Sequence, residues 1–143
     1  MQSIIIITII DWSVFIMTVN KYSRQREAIK EYLAHTKEHP TADTVYMYIR
    51  TTHPNISLGT VYRNLNLLAE QGEILKINCQ DGSDRFDGNP MPHYHFICKG
   101  CGRVLDIEME SIDHIMKIAG AGFGGKVEGH VTYFYGLCPE CNQ

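Results

Sequence analysis

Apolar residues recur at intervals of three and four through the first half of the chain and at intervals of two beyond it, so the reading changes from helix to strand near residue 73. Ile29, Tyr32 and Leu33 share one face of a helix that Ser23 can cap. Thr41-Ala-Asp-Thr after Pro40 is a helix start, and Val45, Tyr48 and Ile49 form the stripe expected to be buried. His53-Pro-Asn breaks that helix. Ser57 opens a third, with Leu58, Val61, Leu65 and Leu68 at helical spacing, and Gly72 stops it. Glu73–Cys79 then alternates as a strand, Asp81-Gly82 turns, and a short return strand runs through Phe86.

Three helices followed by a two-stranded hairpin is the outline of a winged helix-turn-helix. Gly88–Pro92 is poor in regular structure and marks a hinge. Past it, His93–Cys98 and Arg103–Glu108 read as a hairpin bent around a cysteine knuckle. Ser111–Ala119 reads as a helix with Ile112, Ile115 and Met116 buried, and glycine-rich 120–125 as a flexible turn. Lys126–Leu137 is expected to be a long strand with Val127, Val131 and Tyr133 alternating. The expected class is therefore α+β: a winged helix-turn-helix DNA-binding domain over 17–87, a hinge at 88–92, and a small α/β domain over 93–143. The sheet edges of that second domain could pair across a dimer axis.

The hydrophobic extension 1–16 fits neither part. Six of the seven residues Ile4–Ile10 are isoleucine, and Asp11 is the one charge between Ser3 and Val19. A transmembrane helix needs about 20 apolar residues. A signal peptide needs a basic start, and no Lys or Arg precedes Lys21. It is read as an upstream extension without a catalytic or DNA role, with membrane attachment or an added packing arm as the alternatives.

Net charge is −3, which argues against general affinity for nucleic acid, but the sum hides an asymmetry. Met17–Gln80 carries eight Lys/Arg against six Asp/Glu; Asp81–Gln143 carries five against nine. A mildly basic first half suits a polyanion and an acidic second half suits cations. The third helix has Ser57, Thr60, Tyr62, Arg63 and Asn64 in its N-terminal half and no acid before Glu70. Those groups are what phosphates and base edges call for, although an ordinary amphipathic helix has the same polar face.

Cys98-x-x-Cys101 and Cys138-x-x-Cys141 are spaced to close a tetrahedral shell around one Zn²⁺, against the alternatives of disulfides or free thiols. Four soft ligands leave no open position, so that role is structural. The odd fifth thiol, Cys79, and the lack of an export signal fit a cytoplasmic protein. His93 and His95 share a strand face, with parity opposite to Cys98, so imidazoles and thiolates should serve separate sites. Asp87, Asp106 and His39 lie where they could join the histidines, and such a set suits Fe²⁺, Mn²⁺ or Zn²⁺. No nucleophile or independent general base stands beside these groups, so an enzyme is not expected, with a metalloenzyme as the rival class.

Arg24-Gln-Arg, His39-Pro-Thr-Ala-Asp43, Ser57-Leu-Gly-Thr-Val-Tyr-Arg-Asn-Leu65, Arg85-Phe-Asp87, His93-Tyr-His95 and the two cysteine pairs together resemble the ferric-uptake-regulator (Fur) family. Within it the pattern looks most like the peroxide-sensing (PerR) branch. The resemblance implies a homodimeric repressor on double-stranded operator DNA, with structural zinc at the four cysteines. It implies Fe²⁺ or Mn²⁺ on His39, Asp87, His93, His95 and Asp106, with His39 and His93 open to oxidation and peroxide as the only small-molecule substrate. Loss of metal from an oxidised site would release the operator. The alternative within the family is an iron, manganese or zinc uptake regulator that answers to metal level alone, and Arg63 is a residue common there. The start departs from the family: the usual N-terminal helix is replaced by the isoleucine stretch or, from Met17, shortened.

Overall fold

The computed structural model describes residues 12–79 and 81–143. The first half comprises α1 (Trp12–His35), α2 (Ala42–Ile49), α3 (Leu58–Glu70), β1 (Leu75–Asn78) and β2 (Asp84–Asp87). The second comprises β3 (Tyr94–Cys98), β4 (Val104–Ile107), α4 (Ile115–Gly120) and β5 (Tyr133–Gly136). Thr41 caps α2 by accepting from the Thr44 N–H, and Ser57 caps α3 by accepting from the Thr60 N–H, each satisfying a donor the helix leaves open. Ile29 and Leu33 of α1, Val45 and Ile49 of α2, and Val61, Leu65 and Leu68 of α3 meet Ile74 and Phe86 in one core. β1 and β2 pair antiparallel, with Leu75 opposite Asp87, and complete the winged helix-turn-helix.

In the second half β3 is central. It pairs antiparallel with β4, placing His95 opposite Asp106, and parallel with β5. The two halves share a small apolar seam: Ile77 and Cys79 pack with Val104, and Ile97 and Tyr133 close over them. Cys79 is buried in that seam, and burial pushes its thiol up.

Several expectations need correction. Ser23 does not cap α1, which begins at Trp12 and passes through Ser23; no Pro or Gly interrupts residues 12–22, so nothing stops the helix there. Residues 12–16 of the expected extension belong to α1, and the isoleucine stretch, within residues 1–11, lies outside the described residues. Tyr48 is exposed and stacks on Tyr32 with ring centroids 4.1 Å apart, while Ala42 takes the buried place on α2. α4 starts later than expected and buries no residue fully. The long last strand shrinks to Tyr133–Gly136, the stretch that lies along β3, and Val131 is left 79% exposed. Alternation gave the right period there but could not say where a partner strand ends.

The segment expected to be a hinge, 88–92, is held more tightly than its composition suggests. A Cβ on Gly88 would stand 2.5 Å from the carbonyl carbon and oxygen of Leu33 and 2.8 Å from the Ala34 nitrogen. These are backbone atoms of α1 and cannot rotate away. Gly88→Ala is expected to cost about 1–3 kcal/mol by overpacking, read as a lowered urea midpoint. An unchanged midpoint would show that the hinge is free of α1.

Two candidate metal centres and a candidate nucleic-acid face

The left-handed backbone of His39 (φ 50°) turns its ring inward just before α2. The segment is held by the Phe86 N–H donating to the Pro40 carbonyl at 3.0 Å and by an Arg85 guanidinium N–H donating to the His39 carbonyl at 3.5 Å. β2 supplies Asp87, the approach to β3 supplies His93, β3 supplies His95, and β4 supplies Asp106. The Nε2 atoms of His39, His93 and His95 lie 3.1, 2.8 and 2.9 Å from Asp87 Oδ2, and 2.9, 3.1 and 3.5 Å from Asp106 Oδ1. All five donor atoms fall within 4.8 Å of one another. In an octahedron with bonds of about 2.1 Å, neighbouring ligands sit about 3.0 Å apart. The nitrogen–oxygen separations match that spacing, and the N/O donor set suits Fe²⁺ or Mn²⁺. The structure thus brings together all five residues singled out from sequence.

Without an ion the same atoms hold protons. Burial lowers the His39 pKa, but the hydrogen bond and charge of Asp87, followed by those of Asp106, outweigh it and the net shift is upward. His93 is raised in the same way: burial opposes, and the Met91 carbonyl, Asp87 and Asp106 prevail. Asp87 is held far below the usual carboxylate range; burial works against this, but hydrogen bonds from His39, His95 and the Asn89 N–H dominate. A raised histidine pKa stabilises the fold below its unfolded value of 6.5, and that contribution is lost as pH rises through the folded value. A depressed carboxylate pKa stabilises above its unfolded value of 3.8 and is lost as pH falls. The ion-free protein should therefore lose stability as pH rises above the unfolded histidine value of 6.5. Mn²⁺, which needs neutral imidazoles, should bind more tightly over the same range. Urea titrations with and without Mn²⁺ test both; an ion-free midpoint that climbs with pH would refute the assignment.

The second centre gathers Cys98, Cys101, Cys138 and Cys141, again within 4.8 Å. A tetrahedron of Zn–S bonds of about 2.3 Å has edges of about 3.8 Å, and Cys101 Sγ lies 3.9 Å from Cys138 Sγ. The donor set suits structural zinc. Gly102 turns the knuckle at φ 73°, and Gly100 leaves room for the Cys141 side chain, whose Sγ would sit 3.0 Å from a Cβ there. Cys98 Sγ accepts the Cys138 N–H at 3.3 Å and the Cys101 N–H at 3.5 Å, which hold its thiol down to about 6. Cys141 is pushed up to about 12, because as a thiol it hydrogen-bonds to the sulfurs of Cys138 and Cys98.

On α3, Tyr62 and Arg63 are exposed, and Thr60 Oγ1 joins Ser57 Oγ to the Arg63 guanidinium through contacts of 2.9 and 3.0 Å. Asn64 differs from its four neighbours. It is 6% exposed, its Oδ1 accepts the Arg26 Nε–H at 3.1 Å, and its Nδ2 donates to the Thr60 carbonyl. It pegs α3 to α1 rather than facing outward, a direction that helical spacing alone did not separate from its neighbours'.

Sequence reasoning assigned no site role to some residues. Lys21 and Arg24 border a recess of about 250 Å³ with His53–Asn55, just ahead of α3, and extend the basic face. Arg85 reaches from β2 to the Gly102 carbonyl at 3.3 Å and ties the wing to the cysteine knuckle. Arg103 lies against the sulfurs. His130 has its Nε2 3.1 Å from Asp113 Oδ1. Arg24 and Arg85 carried a signal as members of the quoted motifs, and Arg103 one from its knuckle position, two residues past a ligand.

The Ferric uptake regulator family model matches residues 18–135. The chain is 40% identical over 119 residues to the Peroxide operon regulator of Bacillus subtilis (strain 168), spanning 83% of this chain and 82% of that protein. Among solved structures it resembles the Campylobacter jejuni peroxide stress regulator at 28% identity and TM-score 0.75, covering 93% of this chain and 100% of the other. It also resembles a zinc uptake regulator complexed with zinc and DNA, at 27% identity and TM-score 0.64, covering 82% and 81%. With its two donor clusters in a winged-helix frame and a match over most of its length, this chain belongs to the ferric uptake regulator family.

Proposed function

We propose that the protein is a metal-dependent transcriptional repressor, acting as a homodimer on operator DNA and relieved by hydrogen peroxide. One observation carries this reading: the five-donor cluster draws His39 and Asp87 from the half that bears α3, and His93, His95 and Asp106 from the other. A cation adds binding free energy only to the arrangement that gathers all five, so occupancy selects one orientation of the halves. In a dimer that orientation sets the spacing of the two α3 helices on DNA. Support comes from the B. subtilis relative, named a peroxide operon regulator, and from the structural neighbour solved with DNA.

In this reading Ser57, Thr60, Tyr62 and Arg63 meet phosphates and base edges, and Asn64 sets their register from behind. Zinc at the four cysteines is structural, and the five-donor site takes Fe²⁺ or Mn²⁺. Iron bound there supplies the electron chemistry that activates peroxide. His39 and His93 are the rings that take up oxygen, the pair that the likeness to peroxide-sensing regulators implies. One peroxide oxygen enters the ring and the other leaves as water. A modified ring is a poorer donor, the five-way tie fails and the halves part.

The test is operator affinity of metal-free, Mn²⁺ and Fe²⁺ forms before and after micromolar peroxide, with peptide mass spectrometry. The iron form should lose DNA and gain oxygen on a peptide carrying His39 or His93, while the manganese form keeps DNA and gains no oxygen. If the oxidised iron form still binds, the signal is metal level alone, as in iron, manganese or zinc uptake regulators. Oxygen confined to Cys98 or Cys101 overturns the histidine assignment. No helix among the described residues is long and apolar enough to cross a membrane.

A further inference from the structure

A protein that senses peroxide at histidines must keep peroxide from its four thiolates, and the cysteine cluster is not wholly covered. Cys98 and Cys138 are 1% exposed, but Cys101 is exposed and Cys141 half-buried. Four thiolates around one Zn²⁺ carry a net charge of −2, and the more electron-rich the sulfur, the faster it attacks the peroxide O–O bond.

Among the described residues, Arg103 brings a cation to this cluster. Arg103 Nε–H donates to Cys101 Sγ at 3.3 Å, and Nη2–H lies 3.6 Å from Cys138 Sγ. The same Nη2 donates to Glu140 Oε2 at 2.8 Å, which fixes the guanidinium plane against the sulfurs. The fork therefore spans one sulfur from each Cys-x-x-Cys pair, and it rests on the thiolate that faces solvent. Cys98 Sγ, already sheltered, is served instead by backbone N–H groups, those of Cys101 and Cys138.

We propose that Arg103 is the residue that keeps the zinc centre inert to peroxide, so that oxidation is directed to the histidine site. The proposal rests on the peroxide-sensing reading above. The step it slows is defined chemically. A thiolate attacks H2O2, an oxygen passes to sulfur to give a sulfenic acid, and hydroxide leaves. A neighbouring thiolate then displaces a second hydroxide to form a disulfide, and zinc, short of two ligands, is released. Arg103 draws electron density from the Cys101 sulfur through its Nε–H. Lysine at this position would keep the charge but lose the planar fork that reaches both sulfurs.

The experiment uses the zinc-loaded full chain with no metal at the histidine site, so iron chemistry is absent. Zinc release is followed with a chromogenic chelator in millimolar peroxide. Arg103→Gln should release zinc about tenfold faster than the native chain, as expected for losing a charge-assisted hydrogen bond, and Arg103→Lys should fall between. Zinc content and the thermal midpoint before peroxide establish that each variant starts intact. If Arg103→Gln does not retain zinc, Arg103→Lys alone decides. Native-like release from a variant that starts intact overturns the proposal. A second arm loads Fe²⁺ and maps added oxygen by mass spectrometry. There Arg103→Gln should add cysteine oxidation to the histidine oxidation of the native chain. Native chain without histidine oxidation would sink the peroxide reading, while the release arm still decides the role of Arg103.

Discussion

Asp87→Asn should abolish metal-dependent operator binding and weaken Mn²⁺ binding on the order of 100-fold or more, beyond the loss seen for groups that merely support a ligand. Its Oδ2 lies within 3.1 Å of all three imidazole Nε2 atoms, and its Oδ1 accepts the Asn89 N–H at 2.9 Å. Asparagine keeps the shape but removes the negative charge. It would then offer the cation either a neutral oxygen or an N–H₂ group that cannot ligate. Because Asp87 ends β2, the change also weakens the tie that the first half contributes to the site. Asp106→Asn should cost less, since its side chain is 45% exposed against 8% for Asp87, and water can replace part of what is lost. Anaerobic Mn²⁺ titration by calorimetry measures both. Zinc content serves as the control that the second half is intact. Native Mn²⁺ affinity in Asp87→Asn would mean the cluster is only a hydrogen-bonded seam.

Losing zinc should unfold the second half and leave the first half folded. Among the described residues from 93 onward, the fully buried hydrophobic ones are Cys98, Val104 and Cys138, so two of the three are proposed ligands. That is too little apolar surface to order β3, β4 and β5 unaided. Structural zinc contributes about 10–16 kcal/mol in zinc-finger peptides, which is comparable to the whole stability of an ordinary domain. The first half has its own core around Ile29, Val45, Val61, Leu65 and Phe86, all at most 1% exposed, and none of them belongs to the second half. Cys98→Ser, or strong chelation of the native chain, should therefore speed amide exchange across β3–β5 while α1–α3 stay protected. Regulatory metal binding should vanish with it, because His95 and Asp106 are paired across β3 and β4. Native-like protection of β3–β5 in a zinc-free variant would show that the cysteines are dispensable for the fold.

These expectations draw on two kinds of information in the chain. Local period and capping set the elements: Thr41 and Ser57 start the helices they were expected to start, and the β1–β2 wing forms around Asp81-Gly82 as its turn residues require. Both donor clusters were legible as well, because histidine, cysteine and aspartate are few in this chain and their spacing is restrictive. Legibility failed where the answer depends on a neighbour distant in sequence. Ser23 can cap a helix or ride inside one, and the choice turned on whether the residues before it continue the helix. Val127 and Val131 alternate like a strand, yet only the stretch from Tyr133 has β3 beside it to complete its hydrogen bonds. Asn64 and Arg63 are adjacent polar residues on one helix; the position of Arg26 on α1 turns the first inward and leaves the second outside.

The sequence by itself determined which atoms are available to ligate, and in what order the helices and strands follow one another, since both depend on residue type and short-range period. The tertiary structure decided three further things: that His39 reaches across to Asp106, that Gly88 must lie bare against the backbone of Leu33, and that Arg103 rests on the exposed thiolate. Each of these is a meeting of chain segments far apart in sequence. Such meetings are set by how the cores of the two halves pack and not by any local preference of the residues involved.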